Sequence, residues 1–124
     1  VAIEGQRGLA VLDTGASVSV IDRDLARYLA LASPGAVDWA GVNALGMRST
    51  AALRTAHVQI AGDPRLFALD MVEVPGIRDT VPGLDVLGLL GWDFLGACTL
   101  VCDGPQGTFT LQLPPPIRSG RRRR

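Results

Sequence analysis

Residues 10 to 21, AVLDTGASVSVI, place Asp13, Thr14 and Gly15 in a stretch that is otherwise apolar or small. The run Ala10-Val11-Leu12 reads as a buried strand. An ionised carboxylate at its end loses much of its hydration unless donors or a second, charge-sharing group replace the water. Something should therefore hold Asp13 in place. One reading is a strand-turn with a capping aspartate; the other is a carboxyl group kept for acid-base chemistry.

Other reactive side chains are sparse. The single histidine, His57, alternates with Val58 and Ile60 and is expected on a strand surface; alone it leaves no four-ligand zinc set within one chain. No metal and no other cofactor is expected. Cys98 and Cys102 are four residues apart, and on a strand their Cα atoms would stand about 13 Å apart, beyond disulfide reach. They are expected as buried free thiols, which suits a reducing compartment. Asp85, Asp93 and Asp103 also lie near apolar sequence, but none is followed by Thr-Gly or Ser-Gly. Trp39 and Trp92 are expected to pack.

The elements that must position Asp13 read mostly as short strands with turn punctuation. VAIEG and QRGLAVLD suggest a hairpin turning at Gly5-Gln6, and VSVI a further strand. Asp22 can cap a helix through RDLARYLALA, where Leu25, Tyr28 and Leu29 fall at helical spacing, with SPG ending it. Residues 37 to 60 are weakly patterned until the strand AHVQI; RLFALDMVEV is another strand and PGIRDTVPGLD a long loop. WDFLG can form a short helix, and CTLVCD, GPQG and TFTLQL a final hairpin. The apolar run 86 to 101 is 16 residues long, holds Asp93 and is expected in the core, since a membrane span needs about 20 residues.

At 124 residues with 48% hydrophobic content, the chain fits one domain with a real core. Its zero formal charge conceals an asymmetry, because five of its twelve arginines, Arg118 and Arg121 to Arg124, end the chain. PPPIRSGRRRR is expected as a disordered tail over 114–124; a nucleic-acid or anionic-membrane contact and a processing scar are the alternatives. The chain starts without methionine in strand-like sequence and shows no signal-peptide pattern, so an excised domain or mature fragment is expected.

Chance supplies the tripeptide Asp-Thr-Gly in about a few per cent of chains this long, so its surroundings carry the reading. An apolar strand precedes it, ASVSVI follows, and LLGWDFL at residues 89 to 95 adds an apolar pair, a glycine and a short helix. Together these resemble the retropepsin-like aspartic proteases, specifically at residues 11 to 17 and 89 to 95 and over roughly 1 to 113 in all. The resemblance implies an all-β fold, a closed barrel lobe with one or two short helices, in which residues 1–113 are the protease domain. It implies an aspartic endopeptidase active as a homodimer on an extended peptide or protein substrate, each copy giving one Asp13.

In that resemblance Asp13, Thr14 and Gly15 form the catalytic loop, with Thr14 sending its hydroxyl across the dimer axis and Gly15 allowing its N–H close to the carboxylate. Ala16 and Ser17 continue the loop, and Ser17 offers a hydroxyl near Asp13. Retroviral members often carry Asp where Ser17 stands, which points to a cellular or bacterial type. Gly91 would lie beneath the loop, where a side chain would collide with it. A substrate-covering flap falls within residues 42 to 53, with Ala44, Leu45, Gly46 and Met47 at its tip; an ordinary loop is the alternative. No nucleic-acid partner is expected apart from the Arg-rich tail. The competing reading is a catalytically inactive relative, a dimerisation or peptide-binding module.

Overall fold

The computed structural model describes residues 1–39 and 49–116. The chain runs β1 (Ala2–Ile3), β2 (Gln6–Arg7), β3 (Leu9–Leu12), β4 (Val20–Asp22), α1 (Arg23–Tyr28), β5 (Gly35–Trp39), β6 (Ser49–Gln59), β7 (Phe67–Val74), a 3-10 turn (Ile77–Asp79), β8 (Val86–Leu90), α2 (Trp92–Leu95), β9 (Thr99–Asp103) and β10 (Thr108–Gln112). Among the described residues eight strands form one sheet in the order β2-β1-β6-β7-β4-β8-β3, with β5 on β6. Its two ends, β2 and β3, are consecutive in sequence, so the sheet curls into a nearly closed barrel. The fold is mostly β with two short helices among the described residues.

Gly8 makes that near-closure possible. A Cβ there would stand 2.5 Å from Leu87 Cγ and 2.9 Å from the Asp85 carbonyl oxygen, so only glycine lets the chain pass from β2 to β3 at this point. The barrel is filled by Ile3, Ile21, Leu25, Val58, Met71, Leu87, Leu90 and Phe94. The alternation of β6 and β7 follows from their antiparallel register, Ala56 opposite Leu69 and Val58 opposite Phe67.

The cap is as the sequence predicts. Asp22 Oδ2 accepts the Leu25 N–H at 3.0 Å, and its Oδ1 accepts the Arg78 N–H at 3.2 Å, so a carboxylate that is 2% exposed has two backbone donors in place of water. The helix stops sooner than the Leu25-Tyr28-Leu29 spacing suggests, because Ala30 turns to a φ of 50° and the chain leaves for β5. The first hairpin turns at Glu4-Gly5, both with positive φ. β6 is longer than AHVQI alone, reaching back to Ser49, where it pairs with Trp39 of β5. No helix among the described residues is long and apolar enough to cross a membrane.

An exposed Glu4–His57 contact and a half-buried Asp63–Arg65 ion pair fasten the barrel at acid-sensitive points. The Glu4 carboxylate accepts the His57 N–H at 2.8 Å and contacts Nδ1 at 2.7 Å; the backbone donor, then the ring, hold it below its ordinary value of 4.5. Arg65 hydrogen bonds hold Asp63 below 3.8, and the same guanidinium donates to the Pro114 carbonyl. A depressed carboxylate stabilises the fold fully above its unfolded value, and the contribution is lost as pH falls through the folded one. The urea midpoint is therefore expected to fall below pH 4.5, and Glu4→Gln should flatten part of that decline.

Candidate active site

β8 carries the site. It lies between β3, which runs parallel to it with Leu12 opposite Leu90, and β4, which runs antiparallel with Val20 opposite Leu89. The chain therefore leaves β3 at residue 13, crosses the end of β8 and returns on the other side as β4. The crossing is the Asp-Thr-Gly loop. Asp13 is anchored by its own N–H, which donates to the Leu90 carbonyl at 2.9 Å and extends the ladder by one residue. Ala16 N–H then closes a turn onto the Asp13 carbonyl at 3.2 Å.

The carboxylate is held as well. Gly15 N–H donates to Asp13 Oδ1 at 2.9 Å. A Cβ on Gly15 would sit 3.2 Å from that oxygen, tighter than ordinary packing, so the glycine permits the approach. Thr14, Gly15 and Ser17 are exposed, while Asp13 and Ala16 are half-buried.

Gly91 lies directly under the crossing. A Cβ there would meet the carbonyl oxygens of Val18 and Ala16 at 2.6 and 2.7 Å. Its N–H donates to Ser19 Oγ at 3.1 Å. The fully buried Ser19 in turn donates from Oγ to Asp93 Oδ1 at 2.6 Å and from its backbone N–H to Asp93 Oδ2 at 2.9 Å. Trp92, the first residue of α2, donates its backbone N–H to Ala16 O at 2.9 Å and its indole N–H to Thr14 O at 2.6 Å. Three consecutive residues, 91 to 93, thus support the loop from end to end.

Several expectations need correction here. β3 is not a buried strand: among the described residues it is an edge strand bonded only to β8, so Leu9 and Val11 are 47% and 42% exposed and the acid at its end faces an open surface. Trp92 is 51% exposed and makes a specific hydrogen bond rather than simply filling the core. Ser17 is exposed on the loop, and the fully buried Ser19 adds a second loop hydroxyl. The Ser19–Asp93 link has one signal in the sequence, the acid embedded in the apolar run 86 to 101. Cys98 is half-buried and Cys102 exposed, both free, because β9 and β10 form their own two-stranded sheet beside the barrel. Burial raises the Cys98 thiol pKa. His57 is exposed on β6, as expected. Ala44, Leu45, Gly46 and Met47 lie outside the described residues; β5 and β6 flank them.

Among the described residues no group of three or more His, Cys, Asp and Glu side chains converges as a metal site would. The arrangement offers one fixed carboxylate at an open surface, suited to sharing protons with a group brought to it. A family model described as Aspartyl protease matches residues 1–94. No curated protein and no solved structure matches.

Proposed function

The chain belongs to the aspartyl protease family as a single retropepsin-like lobe, and from that premise we propose that it is an endopeptidase active as a homodimer, each copy giving one Asp13. The observation that carries this reading is the half-site: the Asp13 carboxylate, fixed by Gly15 N–H, stands at an open surface with exposed Thr14 and Gly15 beside it.

Two such carboxylates at hydrogen-bond distance cannot both ionise cheaply, so the pair keeps one proton and titrates as a unit. The ionised partner takes a proton from a water, and that water attacks the scissile carbonyl. The protonated partner donates its proton to the developing oxyanion, and the partner that took the water's proton later passes it to the leaving nitrogen, so the pair ends with one proton as it began. By the family resemblance, Thr14 reaches across the two-fold axis, and residues 44 to 47 cover a peptide bound as an added strand. In this reading the catalytic domain is residues 1–113 and the Pro/Arg-rich tail is 114–124.

The β9–β10 hairpin supports a second copy as the partner. Its register puts Cys102 opposite Phe109 and Leu100 opposite Leu111, so one face is apolar, while the other carries Thr99, Asp103, Thr108, Thr110 and Gln112 around a single exposed apolar residue, Val101. Leu111 packs on the barrel core, but Phe109 is 63% exposed and Cys102 is exposed beyond it. Two strands alone are marginal in water. A chain with half an active site and an apolar overhang on its last hairpin is completed by another copy of itself.

Sedimentation together with peptide hydrolysis tests the reading. Specific activity should rise with protein concentration as the dimer forms, be blocked by a statine-containing peptide analogue and be unaffected by chelators. A strict monomer at tens of micromolar without turnover would instead favour a non-catalytic dimerisation or peptide-binding relative, or a lobe that needs a different chain as its partner.

A further inference from the structure

We propose that Trp92 is a positioning residue that acts on Asp13 through a single peptide group, the Thr14–Gly15 amide; as a role in catalysis this rests on Asp13 being the catalytic acid. The indole N–H donates to the carbonyl oxygen of that amide at 2.6 Å, and the N–H of the same amide donates to Asp13 Oδ1 at 2.9 Å. A peptide unit is planar and its C=O and N–H point in opposite directions. Fixing the carbonyl on the indole therefore fixes the direction of the N–H that faces the carboxylate.

The two bonds also reinforce each other. A donor on the carbonyl polarises the amide and strengthens the bond its N–H makes, as in any hydrogen-bonded chain. Burial does not account for Trp92, which is 51% exposed at the start of a four-residue helix. Its donors do: the backbone N–H holds Ala16 O and the side-chain N–H holds Thr14 O, so one residue grips the loop at two carbonyls. Asp93 holds the far end of the same loop through Ser19. The indole hydrogen-bonds to Thr14 O and not to Asp13; the Gly15 N–H transmits the effect.

The test uses the full chain in a Trp39→Phe background, so that Trp92 is the sole indole. Trp92→Phe removes the donor, and benzothienylalanine at position 92 replaces the indole N–H by sulfur with the ring size kept. In both, the Gly15 amide proton should move upfield in the amide NMR spectrum, the direction of a weakened bond to a carboxylate. The value of kcat should fall about ten-fold with KM little changed, since a small misplacement at the reacting group costs turnover rather than binding. Sedimentation should be unaltered. A Gly15 resonance that stays put in the folded benzothienylalanine protein would overturn the proposal. The resonance does not depend on turnover: should the parent protein cleave no peptide, the protease reading fails, while the amide shift still decides whether Trp92 orients the Gly15 N–H.

Discussion

Replacing Asp13 by asparagine is expected to lower kcat/KM by about 10³-fold or more while leaving folding and self-association in place. Asparagine has the shape of aspartate, and its amide oxygen can still accept the Gly15 N–H that now reaches Oδ1 at 2.9 Å. The ladder bond from residue 13 N–H to Leu90 O belongs to the backbone and is untouched. What disappears is the ability to take a proton from water and to return it, and in a homodimer one substitution removes it from both halves. Circular dichroism and sedimentation should match the parent chain, so the loss can be assigned to chemistry.

Mixing the parent and Asp13→Asn chains adds a second readout. If each active site needs one carboxylate from each copy, freely exchanging chains at equal concentrations leave about a quarter of the dimers competent. Independent one-chain sites would leave half the activity. A mixture that retains half, with exchange verified, would rule out a shared pair, and an active Asp13→Asn protein would remove Asp13 from the mechanism altogether.

What the sequence made legible depended on how local the cause was. Asp22 is readable as a cap because its partner, Leu25, is three residues away. The last hairpin is readable because GPQG lies between two alternating runs, whereas Gly91 was legible only through the family resemblance that LLGWDFL carries. The Ser19–Asp93 link spans 74 positions and joins two residue types with no pattern of their own. The exposure of β3 was hidden for a related reason. Ala10-Val11-Leu12 has the composition of a central strand, and only the sheet order reveals that it is bonded along one edge. The single lobe accordingly satisfies the Asp13 carboxylate with a half-open surface and one backbone donor.

Gly91→Ala should fail in stability, where Asp13→Asn does not, and lose turnover as well. The glycine has φ −99° and ψ −166°, an extended conformation that alanine adopts freely, so the backbone itself raises no objection. The obstacle is space. An added Cβ would lie 2.6 Å from Val18 O, 2.7 Å from Ala16 O and 2.8 Å from Val18 C, all backbone atoms, with no flexible side chain to move aside. To admit a methyl group the loop must lift off the start of α2. That movement strains the Trp92 N–H bond to Ala16 O and the Gly91 N–H bond to Ser19 Oγ together. A loss of about 3 kcal/mol or more in urea unfolding is expected, at the upper end for overpacking because backbone must move. Gly35→Ala is the control, since no heavy atom lies within 4 Å of its added Cβ, and it should change stability by about 0.5 kcal/mol or less. Turnover in Gly91→Ala should fall even at temperatures where the variant stays folded, because the displaced loop carries Asp13 and the Gly15 N–H with it. Parent-like stability and turnover in Gly91→Ala would mean that the loop does not rest on residue 91, and the support assigned to residues 91 to 93 would have to be redrawn.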